Sequence, residues 1–178
     1  MYAIFPGSFD PFTRGHLNIV SRASRMFDQV CVVIATNSVK IRSYDPEAMC
    51  ELIKDAILMA PAMSNVNVTI CKSSIAEFVA TRNVNVVVRA LRNGSDLDYE
   101  EMVETGNNML LNSIDPARRV EHVYLMAEPE YRRTSSTLAR ELILAGAGLS
   151  ELRQIMPTNI AEYVYQQKIA ADTILRLM

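Results

Sequence analysis

"NVNVVVRAL", residues 83–91, is nearly all apolar through its middle and then meets arginine. Three consecutive valines without polar alternation are the pattern of a strand covered on both faces, as in a parallel sheet flanked by helices. Working outward from this run, placed at 84–88, similar β-branched runs predict strands at 3–6, 30–36, 66–70 and 120–126. Segments of helical period fall between them, at 15–27, 46–60, 75–82, 96–111 and 136–144. Pro46 behind Asp45 reads as a first helical residue after its N-cap, and Gly146 with Gly148 as a helix stop. This alternation predicts an α/β chain, a single doubly wound domain over 1–178 with a five-stranded parallel sheet flanked by helices. Ligands in such sheets bind beyond the carboxyl ends of the strands, where the winding reverses. The residues that follow each strand are therefore the candidates.

The whole chain narrows the choice of ligand. Its 178 residues are enough for a real core, and 49% hydrophobic with 21% charged residues is ordinary for a soluble globular protein. A net charge of −2 gives no global field toward nucleic acid or an anionic membrane, so anion binding must come from a local cluster. Apolar runs fall far short of the ~20 residues that span a bilayer. The N-terminus enters a strand-like run without a signal-peptide pattern, which points to the cytoplasm. Cys31, Cys50 and Cys71 form no CxxC pair and read as reduced thiols in or near the core. With only His16 and His122 to join them, a metal site is not expected.

Basic and hydroxyl residues gather at the strand ends. "PGSFDPFTRGH" (6–16) follows the first strand; Gly7 could adopt dihedrals closed to other residues, and Gly15 would let a ligand approach the backbone. His16 falls in the first helical turn, whose free N–H groups and dipole favour phosphate. Ordinary turn chemistry explains each of these residues singly but not their concentration. Lys40 follows the second strand, where a lone lysine is weak evidence. Arg89 and Arg92 close the fourth, either to meet an anion or to pair with Asp96, Asp98 or Glu100. Tyr131, Arg132, Arg133, Thr134, Ser135, Ser136 and Thr137 follow the fifth and open a helix, where one serine would have been enough as a cap. Neither GxxxxGK[ST] nor GxGxxG occurs, so phosphate is held by another device.

"PGSFDPFTRGH", "RALR…DLDYE" and "RRTSSTLARE", in that order, resemble the bacterial phosphopantetheine adenylyltransferases, nucleotidyltransferases with an [HT]xGH signature. The resemblance runs from about residue 2 to 160 and implies a Rossmann-like nucleotidyltransferase fold. It also implies transfer of AMP from ATP to 4′-phosphopantetheine, with Mg²⁺ accompanying the nucleotide, in a homohexamer open to feedback by coenzyme A. By similarity His16 contacts the α-phosphate, and Ser8 touches both substrates with Phe9 beside the nucleotide. Lys40 and Arg89 hold the attacking phosphate, and Ile75 contacts the pantetheine arm. Ala90, Leu91, Arg92 and Glu100 bind ATP, and the 131–137 stretch receives adenine and the β,γ-phosphates. Such a transfer needs no general base, because the attacking group is already an oxyanion; positioning and charge neutralisation are the task.

Departures from the family pattern are Ala90 in place of a glycine, Met49 in place of an arginine, the Arg132–Arg133 pair, and a longer tail. A methyl at position 90 requires a negative φ. The alternatives are a related enzyme acting on nicotinate mononucleotide or glycerol phosphate, or a non-catalytic nucleotide binder. Thr13 in TxGH and the Arg89–Arg92 pair weigh against the first, and His16 with Lys40 against the second. The tail, 159–178, carries Ile160, Tyr163, Val164, Ala171, Ile174, Leu175 and Met178 at helical spacing. Its apolar face either docks on its own sheet or, through 170–178, packs on a neighbouring subunit.

Overall fold

The computed structural model describes residues 1–36, 41–60 and 62–177. Five strands, β1 (Tyr2–Gly7), β2 (Gln29–Ala35), β3 (Val66–Cys71), β4 (Val86–Leu91) and β5 (Glu121–Met126), pair in the order β3-β2-β1-β4-β5, all parallel. Between them run α1 (Arg14–Ser24), α2 (Pro46–Leu58), α3 (Ile75–Thr81) and α4 (Gly94–Ile114); α5 (Ser136–Leu144), α6 (Leu149–Ile155) and α7 (Thr158–Leu177) follow β5. The winding reverses at β1, whose neighbours β2 and β4 lie on opposite sides. The expected fold class is the one found, and the cleft belongs at that reversal.

The pleat sorts the core into two layers. Ala3, Phe5, Val30, Val32, Ile34, Val86 and Val88 face one side, where α1, α2, α6 and α7 cover them. Ile4, Cys31, Val33 and Val87 face the other, under Ala76, Phe78 and Val79 of α3 and Leu111 of α4. Strands buried on both faces explain the unbroken valine runs. Ile4 is fully buried on the central strand, and truncating it to alanine should cost about 3 kcal/mol. Met49 is also fully buried, so the apolar residue in α2 serves the core.

Several boundaries differ from the sequence expectation, each for a physical reason. β4 starts two residues later and continues through Arg89, Ala90 and Leu91, because those positions pair with Tyr124, Leu125 and Met126 of β5. Its arginine is tolerated inside the sheet because the guanidinium meets a carboxylate on α4. Gly146, with φ +91°, does end α5, but Gly148 then opens α6, a helix the sequence reading left out. In α7, Ile160, Ala161 and Val164 are buried against the chain's own core, whereas Ile169 and Ile174 are exposed.

Candidate active site

β1 runs into a turn that places His16 in the first turn of α1. Thr13 is the N-cap: its Oγ1 accepts the His16 backbone N–H (3.4 Å), and its own backbone N–H donates to His16 Nδ1 (3.0 Å). A backbone N–H can only donate, so Nδ1 carries the lone pair and the ring proton sits on Nε2. The rings of Phe5, Phe9 and Phe12 stand 6.3, 5.1 and 5.4 Å from the imidazole, centroid to centroid. Burial in this surround, with the Arg92 charge adding to it, pushes the His16 pKa down to about 4. At neutral pH His16 is therefore an uncharged imidazole whose Nε2–H is left to donate.

The glycines of this turn act differently from the sequence expectation. Gly7 does not lie at positive φ; it is small because an added Cβ would come within 2.9 Å of the Phe9 ring. The positive φ belongs to Phe9 itself, at 46°, with its side chain buried. A Cβ at Gly15 would stand 3.1 Å from the Thr134 carbonyl oxygen, so the close approach at that glycine is made by the protein's own backbone. This contact draws the start of α5 against the start of α1. Ser135 caps α5 by accepting the Leu138 N–H (3.0 Å), and Ser136 Oγ donates to the Pro11 carbonyl (2.8 Å). Two helix N-termini thus border one cleft.

A carboxylate holds the turn from behind. Asp10, 7% exposed, accepts the backbone N–H groups of Ser43 (2.9 Å) and Tyr44 (3.0 Å). Arg42 donates to the Ser8 carbonyl (2.9 Å), and Arg140 to the Asp10 carbonyl (2.5 Å). The backbone of residues 8–11 is therefore fixed by side chains from two other segments.

The opposite wall is the end of β4 and one face of α4. Arg89 pairs with Glu100 through Nε and Nη2, both side chains largely buried at 14% and 17% exposure. Arg92 donates from Nε (3.0 Å) and Nη2 (2.7 Å) to the two oxygens of Asp96, which also accepts the Arg92 backbone N–H. Burial works against ionising Asp96, but these Arg92 bonds hold its carboxyl below the usual range. The carboxylate pairing considered from sequence is thus what the structure contains, with Asp98 exposed and outside it. Each guanidinium keeps N–H groups beyond those its carboxylate uses.

These walls enclose a cavity of about 470 Å³ at the β1–β4 reversal. Of the residues singled out in the sequence, Ser8, Phe9, His16, Ile75, Arg89, Ala90, Arg92, Glu100, Tyr131, Thr134, Ser135, Ser136 and Thr137 border it. Leu91, Arg132 and Arg133 do not. The Leu91 side chain is buried and its carbonyl accepts the Ala127 N–H (2.6 Å), while Arg132 Nε leans on the Ala127 carbonyl (3.4 Å) and Arg133 is exposed. Lys40 lies outside the described residues. Phe9 and Ala62 are the non-glycine residues at positive φ among those described, so Ala90 carries its methyl without strain. Asp96, named from sequence as an arginine partner, also lines the cavity, whereas Tyr99, Val103 and Asn107 line it and were missed; their spacing with Asp96 and Glu100 marks one face of α4 and was available as a signal.

A phosphate-compatible cavity at the reversal of a 3-2-1-4-5 parallel sheet is the architecture of a nucleotide-binding α/β fold, and the match of the Cytidylyltransferase-like family model to residues 4–142 makes the chain a nucleotidyltransferase. A phosphopantetheine adenylyltransferase of Levilactobacillus brevis is 35% identical over 160 residues, 90% of this chain and 92% of the relative. One from Leuconostoc citreum is 38% identical over 172 residues, 97% of this chain and 95% of the relative. Among solved structures, the nicotinic acid mononucleotide adenylyltransferase of Plasmodium falciparum complexed with NaAD superposes with TM-score 0.66 at 14% identity, covering 93% of this chain and 94% of that one. That last likeness speaks to the fold alone. The chain belongs to the cytidylyltransferase-like family and, within it, to the phosphopantetheine adenylyltransferases.

Proposed function

We propose that the chain transfers AMP from ATP to 4′-phosphopantetheine, releasing pyrophosphate and forming dephospho-coenzyme A, the penultimate step of coenzyme A synthesis. One observation carries the reaction class: a neutral imidazole donor, two arginines and two helix N-termini border a single cavity. The full-length relatives favour this acceptor over nicotinate mononucleotide. An oxygen of the acceptor phosphate attacks the α-phosphorus, the bond to the pyrophosphate oxygen breaks, and no proton need leave the nucleophile. The protein's part is to align two mutually repelling anions and to meet the charge that grows on the α-phosphate. His16 Nε2–H donates there. A neutral donor suits this position, since it stabilises charge without a proton being exchanged.

Lys40 and Arg89 hold the acceptor phosphate, with Ile75 against the pantetheine arm. Ser8 and Phe9 border the nucleotide, as do Ala90, Leu91, Arg92 and Glu100. The start of α5 with Tyr131 receives adenine and the β,γ-phosphates; the placement of Arg132 and Arg133 outside the cavity lessens their part. Mg²⁺ enters on the triphosphate as part of the substrate. The homohexamer finds support in α4, where Tyr99, Met102, Met109, Leu110 and Ile114 are each at least half exposed along one stripe. Feedback by coenzyme A would use the acceptor half of the same cavity, and the cytoplasm is the proposed compartment; no helix of the described residues is long and apolar enough to cross a membrane.

His16→Ala tests the assignment. Turnover should fall by roughly 10²–10³, the scale for losing one preorganised donor, while the KM for ATP stays within a few-fold. A turnover close to that of the unaltered protein would remove His16 from the reaction.

A further inference from the structure

The side of the sheet that meets α4 carries a polar cluster in which His122, Tyr124 and Glu104 have no part in the proposed reaction. Val87 pairs with His122 and Arg89 with Tyr124 across β4 and β5, so all four share one face of the sheet. Glu100 and Glu104 lie one turn apart on α4 above them. Arg89 reaches Glu100, and the Tyr124 hydroxyl donates to Glu104 Oε2. His122 Nδ1 stands 3.5 Å from that same oxygen, just beyond a good hydrogen bond. The His122 side chain is 7% exposed, and neither ring nitrogen has a hydrogen-bond partner among the described residues. It borders a small second cavity that shares Ile75, Arg89, Val103 and Asn107 with the main cleft. A buried, unpartnered imidazole thus sits directly behind the arginine assigned to the acceptor phosphate.

We propose that His122 acts through Arg89 as a proton-linked positioning residue: an oxyanion of the phosphate class on Arg89 and a proton on His122 favour one another. The inference rests on Arg89 being an anion-binding group. Glu100 and Glu104 already leave one negative charge over the single Arg89 guanidinium, and an oxyanion on Arg89 deepens that excess. A proton on His122 offsets that excess, and Nδ1–H then donates to Glu104 across the 3.5 Å gap. The groups that set the balance are identifiable from every packed element. β4 supplies Arg89, which opposes protonation, and α4 supplies Glu100 and Glu104, which favour it. β5 supplies Tyr124 and Glu121, and α3 supplies the apolar Ile75, Ala76 and Val79. With the cleft empty, burial and Arg89 outweigh Glu104 and hold the His122 pKa below the ordinary imidazole value.

Sulfate is the probe, because it does not titrate between pH 4.5 and 8. The chain has two histidines, so both imidazole Cε1–H resonances can be followed by NMR, with His122→Gln assigning them. At constant ionic strength, saturating sulfate should raise the His122 midpoint by about one unit, the effect of its two charges at roughly 10 Å in an effective dielectric of about 50. By reciprocity, sulfate should bind more tightly at pH 5 than at pH 7.5, by up to about tenfold, beyond any change seen in His122→Gln. An unmoved His122 midpoint, with sulfate binding that is lost in Arg89→Gln, would overturn this inference and leave the assignment of Arg89 standing. Absence of any Arg89-dependent sulfate binding would overturn both.

Discussion

Replacing His16 by glutamine removes one ionisable ring from the cavity and leaves an amide of similar reach. In the unfolded chain the imidazole takes its proton near pH 6.5; in the fold, enclosed by three phenylalanine rings, it does so at about 4. Between those values the unfolded state binds the proton and the native state does not, so stability falls as pH falls. The contribution is fully present above about pH 6.5, drains away down to about pH 4, and changes no further below it. A difference of this size corresponds to about 3 kcal/mol. Urea unfolding at a series of pH values from 4 to 7.5 reads it, as the wild-type free energy minus that of His16→Gln. Subtracting the variant cancels the contributions of His122 and the carboxylates. The difference should shrink by about 3 kcal/mol on going from pH 7.5 to pH 4, and the His16 NMR midpoint should lie near 4. A difference flat to within about half a kcal/mol, or a midpoint near 6.5, would refute the assignment of a neutral, enclosed imidazole.

Neutralising Lys40 or Arg89 should weaken 4′-phosphopantetheine far more than ATP in binding titrations; equal losses for the two ligands would place these residues in the wrong half of the cavity. Met109→Glu with Leu110→Glu puts two charges on the exposed stripe of α4, and on the proposed homohexamer sedimentation should show a fall toward monomer with the unfolding free energy of the protomer little changed; an unchanged sedimenting mass would remove the stripe from any interface.

The sequence was most readable where one physical demand acted alone. Val30, Val32 and Ile34 had to be apolar because the sheet is covered on both faces, and β2 was placed within a residue at each end. β4 was cut short at Arg89 because a charge inside a buried strand is paid for by Glu100, eleven positions along the chain and on another element. Position 16 was legible from its helix start, whereas its tautomer depends on a bond from the Thr13 backbone that composition does not encode. Gly15 was read as room for a ligand and does border the cavity, but the place of its missing Cβ is taken by Thr134, a contact across more than a hundred residues. The Asp10 bonds to Ser43 and Tyr44 are of the same long-range kind. On α4, Asp96 and Glu100 were legible as carboxylates facing the arginines, whereas Val103 and Asn107, one and two turns further along the same face, carry no charge to mark them.

The central claim is the reaction itself, and the most direct measurement follows pyrophosphate release from Mg²⁺–ATP with each acceptor supplied separately. With 4′-phosphopantetheine the chain should release pyrophosphate in step with a product of the mass of dephospho-coenzyme A. With nicotinate mononucleotide, with glycerol 3-phosphate or with no acceptor, release should be at least a hundredfold slower, the discrimination of a site lined for one acceptor's polar groups. Comparable rates with nicotinate mononucleotide, or no release with 4′-phosphopantetheine from a folded protein that binds ATP, would contradict the account.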